Sequence, residues 1–579
     1  MKLGYSAEKA VQIVIALLKK NSINRIIVSP GSANDTFVFS VQSDPFFKLY
    51  SCVDERSAAY MACGMAEETN EPVVISCTGA TASRNYLPAL TEAYYRKLPI
   101  MAITATRPVM YVGHNRDQLM DRSIVPKDAI KFSVNLPVVK DGEDFWDCEI
   151  KVNKAISELS KNGGGPVHIN LPTVYDRDYS VTKLPDVRQI WRFDTDAQLP
   201  DINEKPVAIY IASHKTMNNQ LVSEIDEFCE KYNAVVFCEH TSGYNGKFKI
   251  PFFIAYSQSV SSESFYPALE IELGEIAGIF RMPAKSIWRV SEDGGIKDVQ
   301  KKLNAVFYMT EYRFFKTYNK KRKSSCQTTY YQKCVSRLSE LYNKIPTNIP
   351  FSNMYVASKL APKMPMNCVL HFGILNSLRC WNYFKIDNSI RCYSNIGGYG
   401  IDGCVSSLLG ASLIYPEKLY FGVFGDLAFF YDLNSLGNRE IGNNLRILVI
   451  NNGLGGEFKN YFSPANDFGA DSNSYVCAEG HYGNKSKNLI KHYCQDLGFE
   501  YMSASTIEEF ESVYRSFVIP DTKKQPVLFE VFTEPENDSK AVYMMNNIES
   551  QANAGVKKVI KNIIGQSNVD KIKKVVKGN

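Results

Sequence analysis

Two short stretches of the chain combine residue types and spacing that could do chemistry. Phe424-Gly425-Asp426-Leu427 ends one apolar run, Ile450-Asn451-Asn452-Gly453 ends another, and 25 residues separate Asp426 from Asn452. Each polar residue falls at the carboxyl end of an expected strand, where open α/β sheets bind ligands. A strand, a helix and a return strand would bring the two ends side by side. Asp426 and Asn452 would then offer hard oxygen ligands to Mg²⁺, which usually completes its octahedron with water and phosphate oxygens. The glycines between Gly453 and Gly456 would let backbone approach a diphosphate closely. A bare Gly-Asp pair is more often a simple turn in a ligand-free sheet. The spacing, strand context and glycine run together reverse that preference.

The surrounding sequence must supply the sheets that position these residues. At 579 residues the chain is too long for one core, and length alone suggests three or four domains. Helical spacing is expected over residues 6–20, followed by strands over 25–29, 72–77, 100–104 and 167–171. A second segment beginning near Pro206 has expected strands over 207–212, 234–238 and 269–273. Residues 316–333, rich in Lys, Tyr and Ser, read as a linker. A third segment from about Asn348 has expected strands over 369–372, 419–424, 446–451 and 527–531. Short buried strands separated by helices imply parallel sheets covered on both faces. The fold class is α/β, with three successive parallel-sheet domains: 1–185, 186–345 including the linker, and 346–545, then a basic tail over 546–579.

Composition excludes several classes. The chain is 45% hydrophobic and 22% charged, ordinary for a globular protein. The net charge of +5 resides in the tail, where seven lysines face Glu549 and Asp570; the remainder balances 59 basic against 59 acidic residues. The body therefore carries no nucleic-acid footprint. Fourteen cysteines with no C-x-x-C pair read as reduced core thiols. The N-terminus has no secretory cleavage pattern and no apolar run reaches bilayer length, so a cytoplasmic location is expected. In the tail, Val556, Val559, Ile560, Ile563 and Ile564 share a helical face ringed by lysines. Packing on its own subunit is the favoured reading, and contact with an anionic membrane is the minority one.

At this point the sequence resembles the thiamine-diphosphate-dependent enzymes, whose cofactor motif is Gly-Asp followed 25 to 30 residues later by Asn-Asn. The resemblance is strongest to the MenD-type synthases of menaquinone biosynthesis. Ser29-Pro30-Gly31-Ser32, Val53-Asp54-Glu55-Arg56-Ser57-Ala58-Ala59 and Cys77-Thr78-Gly79-Ala80-Thr81-Ala82 match that family's motifs in order. Thr106-Arg107-Pro108, Ser394-Asn395, Gly400-Ile401-Asp402-Gly403 and Tyr431-Asp432-Leu433-Asn434 complete the set, while the middle segment matches more weakly.

The resemblance implies a pyrimidine-binding, a central and a diphosphate-binding domain. The cofactors would be thiamine diphosphate (ThDP) and Mg²⁺, held between the first domain of one subunit and the third of another in a homodimer or homotetramer. It implies that Glu55 hydrogen-bonds the aminopyrimidine ring and promotes the tautomer that removes the thiazolium C2 proton, with Gln118 and His114 as further active-site candidates. Without the resemblance, Asp54-Glu55-Arg56 would read as a solvated charge cluster. Asp426, the Asn452 side chain and the Leu454 carbonyl would hold the metal. Pro30, Gly31, Thr78, Gly79, Ser394, Asn395, Gly398, Ile401, Gly425, Leu427 and Gly455 would contact the cofactor. Ser32, Asn34, Arg107, Arg281 and Ile396 are the substrate candidates, and Asp432 and Asn434 read as helix-fixing.

Departures from the family bear on substrate. Ala33 and Ile396 stand where it carries arginines that bind substrate carboxylates, and Phe280-Arg281 aligns with its Lys-Arg pair. Neither a methyl nor a butyl group replaces a bidentate guanidinium. The expected function is therefore a decarboxylase or carboligase, a transferase or lyase acting on a 2-oxoacid donor and an unidentified acceptor other than the menaquinone pair. The alternatives are the family's own reaction on 2-oxoglutarate and isochorismate, simple decarboxylation to an aldehyde, and a non-catalytic ThDP-binding protein. Glu55 argues against the last, because binding alone does not need a proton-relay acid.

Overall fold

In the computed structural model the described residues are 4–551 apart from 216, 259–264, 280, 282 and 482–484. The amphipathic pattern expected in the tail falls on residues 552–579 and lies outside them. The chain forms two compact units, residues 1–199 with 293–308, and residues 200–292 with 309–579.

The first unit is built on six parallel strands: β1 (Arg25–Val28), β2 (Lys48–Ser51), β3 (Val73–Thr78), β4 (Ile100–Thr106), β5 (Phe132–Asn135) and β6 (Val167–Pro172). Their order across the sheet is β2-β1-β3-β4-β6-β5. β3 and β6 are buried along almost their whole length, as strands covered on both faces must be, and in β6 the interior takes in His168 and Asn170 as well. The helix Lys9–Lys20 packs one face with Val11, Val14, Leu17 and Leu18. The alanine-rich helix Glu55–Thr69 packs the other with Ala58, Ala59, Ala62 and Ala66. β7 (Trp191–Asp194) also belongs to this unit and pairs in parallel with its later strand β13 (Leu303–Tyr308).

The second unit contains two groups of strands. β8 (Val207–Ile211), β9 (Ala234–Cys238), β10 (Lys249–Ile250), β11 (Leu269–Leu273) and β12 (Ser286–Ser291) run in the order β10-β9-β8-β11-β12. The last sheet comprises β14 (Val369–Phe372), β15 (Arg391–Ser394), β16 (Tyr420–Gly425), β17 (Leu445–Asn451), β18 (Glu500–Ala504) and β19 (Val527–Phe532), ordered β15-β14-β16-β17-β19-β18. One continuous apolar core, including Tyr210, Phe237, Trp381 and Phe529, joins the two groups.

The expected linker over 316–333 is corrected by the structure. Glu311–Lys321 and Thr329–Asn343 are helices, leaving only Arg322–Thr328 between them. Phe315 and Tyr318 lie three residues apart on one face and pack on Phe228 and Tyr232. The lysines that suggested a solvated stretch occupy the rest of the helix surface.

Candidate functional site

The parallel pairing of β16 with β17, in register from Tyr420↔Leu445 to Gly425↔Ile450, brings the two polar loops together as the spacing predicted. Gly425 ends β16 and caps a short helix whose first residue is Asp426. That carboxylate is only 5% exposed, and it accepts from the Leu427 N–H at 2.9 Å and the Gly453 N–H at 3.0 Å. Gly453 has φ +77, a conformation that favours glycine and turns its N–H onto Asp426. Burial pushes the Asp426 carboxyl up to about 7, and the nearby charge of Asp538 adds to that.

Asp538 carries no signal in the sequence, yet it organises the other half of the site. It lies in the helix Pro535–Asn546 and accepts from the Asn452 amide at 3.0 Å, the Thr533 hydroxyl at 2.9 Å and the Asn353 N–H at 2.7 Å. Because Asp538 takes the amide N–H₂, the amide oxygen of Asn452 is the end left for a cation. Burial raises the Asp538 carboxyl as well.

Two buried carboxylates therefore stand at one cavity, and among the described residues neither forms an ion pair. The cavity measures about 210 Å³ and is lined by Asp426, Leu427, Asn452, Leu454, Gly455, Ile401 and Asp538. Leu375 also lines it, with φ +63 and ψ −121, a strained backbone for a residue with a side chain. A side chain at position 456 would meet the Asn452 amide at 2.5 Å and so would displace it. The donor set of carboxylate and amide oxygens, with uncompensated negative charge and close-approaching backbone, fits a hard divalent cation and a diphosphate. Arg379 lies beside the cavity and pairs with Glu457, which also lines it.

Ser394 and Asn395 lie at the end of β15, near this cavity in sequence order but not among its lining residues, and neither is Gly398. Among the described residues the buried Ser394 hydroxyl has no partner, and Asn395 donates to the Gly403 carbonyl at 3.2 Å. A side chain at Gly398 would meet nothing within 4 Å. Ile396 is 2% exposed and packs in the core of the unit, within reach of Gly278. Arg281 pairs with Glu272 and covers the Tyr210 ring, so its charge is already matched. Phe280 lies outside the described residues. Asp432 accepts from the Ser406 N–H at 2.5 Å and its hydroxyl at 2.7 Å, tying down the neighbouring helix.

In the first unit, Glu55 opens the helix Glu55–Thr69 after Asp54, which caps it by accepting from the Ser57 N–H at 3.0 Å. Glu55 is half-buried and accepts from the Asn85 amide at 3.1 Å. Pro30, Gly31 and Ser32 follow β1, and Thr78 and Gly79 close β3 beside them. A side chain at Gly31 would strike the Thr78 methyl at 2.2 Å. Asn34 is buried and donates to the Ser29 carbonyl at 3.2 Å. Ala33 is 5% exposed, and its carbonyl accepts from the Thr173 hydroxyl at 3.2 Å. His114 and Gln118 are exposed on the loop after Val109–Tyr111, Gln118 at φ +54. Arg107 approaches Asp117 at 3.7 Å and stacks over Tyr175.

The chain is similar to known proteins along most of its length. The family described as thiamine pyrophosphate enzyme, N-terminal TPP binding domain, matches residues 8–124. A 2-succinyl-5-enolpyruvyl-6-hydroxy-3-cyclohexene-1-carboxylate synthase from Bacteroides fragilis is 30% identical over 568 residues, covering 93% of this chain and 98% of the relative. Proteins of the same name from Bacteroides thetaiotaomicron, at 30% identity over 93% of the chain and 98% of the relative, and Christiangramia forsetii, at 28% over 94% and 100%, align equally fully.

Proposed function

Because the chain belongs to the MenD family of thiamine-diphosphate-dependent enzymes, we propose that it decarboxylates a 2-oxoacid and joins the fragment to an acceptor bearing fewer carboxylates than isochorismate. ThDP with a divalent metal is its cofactor, and when bound it supplies the carbon centre that carries the carbanion. In our reading the metal is Mg²⁺, held by Asp426, the Asn452 amide oxygen and the Leu454 carbonyl, with Asp538 orienting Asn452. Glu55 holds and moves the proton at the aminopyrimidine ring, and Asn85 fixes its carboxylate. The active assembly in this reading is a homodimer in which Glu55 of one chain serves the cavity of another. No helix among the described residues is long and apolar enough to cross a membrane, which is compatible with a cytoplasmic enzyme.

The substrate assignment rests on the burial of Ala33 and Ile396, apolar at the two positions where the family resemblance implies arginines. Arg281, the remaining aligned cation, is neutralised by Glu272. Removing one partner of a buried charged pair typically costs on the order of 2–5 kcal/mol, so two such losses would lower efficiency by several decades on a polycarboxylate acceptor. A keto sugar or an aldehyde would suit this more apolar setting. The family's own reaction is the second reading, supported by the names of the relatives. Supplying isochorismate and 2-oxoglutarate, and then a panel of other 2-oxoacids and acceptors, decides between them. The highest kcat/KM on the menaquinone pair would overturn the proposed substrate class.

A further inference from the structure

The second unit holds another cleft, of about 740 Å³, that shares no lining residue with the cavity at Asp426. It lies where the carboxyl ends of β8 and β9, followed by His214 and His240, face the amino ends of β14, β15 and β16. The cavity at Asp426 belongs to the opposite, carboxyl end of that last sheet. The carboxyl ends of parallel strands are the usual ligand-binding edge of an α/β sheet, and the fold leaves this one open.

The chemistry of the cleft is one-sided. Lys249, Arg391 and Lys418 line it, and no aspartate or glutamate does. Among the described residues Arg391 and Lys418 form no ion pair, and Lys249 only reaches the Asn388 amide oxygen at 3.4 Å. Two acids nearby already have partners, Glu311 through the cleft-lining His214. Asp387, which Lys249 senses, accepts from the Ser389 N–H and hydroxyl, and Glu311 pairs with His214 at 3.1 Å. Asn219, at the first turn of the helix Asn219–Tyr232, places the positive end of a 14-residue dipole at the same cleft.

His371 forms part of the cleft wall. It projects from the middle of β14, is 8% exposed, and its Nε2 is buried with no hydrogen-bond partner. Its neighbour His240 differs, because its Nε2 is bonded to the Trp381 carbonyl at 2.9 Å. The His371 nitrogen is shielded from the cleft, so His371 contributes to the wall of the cleft rather than a hydrogen bond into it. Tyr393 leans against the His371 ring at 5.2 Å and fixes its orientation.

We propose that this cleft binds a small organic dianion, a phosphomonoester or a dicarboxylate, with Lys249, Arg391 and Lys418 matching its charge. The test is calorimetric titration of the full-length protein, loaded with ThDP and Mg²⁺, with inorganic phosphate and separately with succinate at low ionic strength. One saturable site per chain is expected for at least one probe; phosphate alone identifies a phosphomonoester site and succinate alone a dicarboxylate site. Arg391→Gln, at an exposed position that leaves folding intact, should weaken binding roughly tenfold, and Lys249→Ala with Arg391→Ala roughly a hundredfold. Asp426→Ala should leave anion binding unchanged. The proposal is overturned if neither probe saturates below about 10 mM, if affinity survives in both arginine variants, or if Asp426→Ala abolishes binding. None of these outcomes depends on which substrate the enzyme turns over.

Discussion

Asp426→Asn should make the cofactor-free protein respond to pH in the opposite sense from the usual acidic variant. In the folded chain burial holds the Asp426 carboxyl at about 7, against an unperturbed value of 3.8. Between those values the folded state keeps a proton that the unfolded state has lost, so stability falls as pH rises, and above pH 7 the full penalty applies. A shift of about three units corresponds to roughly 4 kcal/mol. Asparagine removes that penalty but turns an N–H₂ toward either the Leu427 or the Gly453 N–H, which costs about 1–3 kcal/mol. The variant should therefore be less stable than the parent near pH 4, and more stable by about 1–3 kcal/mol at pH 8. Urea unfolding of both apo proteins across that range measures the crossing. ThDP with Mg²⁺ at a hundred times the parent's Kd should then stabilise the parent by about 2.7 kcal/mol and leave the variant unchanged. Parallel pH profiles for the two apo proteins would refute the buried-carboxylate reasoning, and equal stabilisation by cofactor would refute the metal assignment.

Glu55→Gln should still load cofactor but slow deuterium exchange at C2 of bound ThDP by about a hundredfold or more, because an amide cannot share a proton with the ring; exchange at the parent rate contradicts the role. Asp538→Ala should weaken divalent-metal affinity about 10–100-fold by freeing the Asn452 amide to rotate, while Asp426 stays in place. Metal titration of the apo variant measures this, and unchanged affinity would show that Asn452 needs no orienting acid. Dilution that produces monomers should release ThDP and end activity together, followed by sedimentation with cofactor absorbance; an active, loaded monomer excludes a site shared between chains.

How much was legible in the sequence depended on how far apart the cooperating residues lie. Strands β9, β11 and β14 were placed at their observed ends, β9 and β14 because short, largely apolar runs mark buried strands and β11 because Leu269, Ile271 and Leu273 alternate with glutamates. The edge strand β2, with its pattern Lys-Leu-Tyr-Ser, and the two-residue β10 carry no such run and were not visible. The helix Glu311–Lys321 was misread because its lysines dominate composition, while Phe315 and Tyr318, which hold it down, show only in spacing. Asp426 and Asn452 were legible because a single strand–helix–strand unit joins them, so sequence separation itself constrains their distance. Asp538 was not, since 86 residues separate it from Asn452 and nothing local distinguishes it from the other acids of its helix. Its role follows only from the packing that brings the helix Pro535–Asn546 over the end of β17. The same packing explains why the site tolerates two buried acids. Asp426 accepts from two backbone N–H groups and Asp538 from three donors, and a cation at Asp426 and Asn452 would supply the positive charge that both lack.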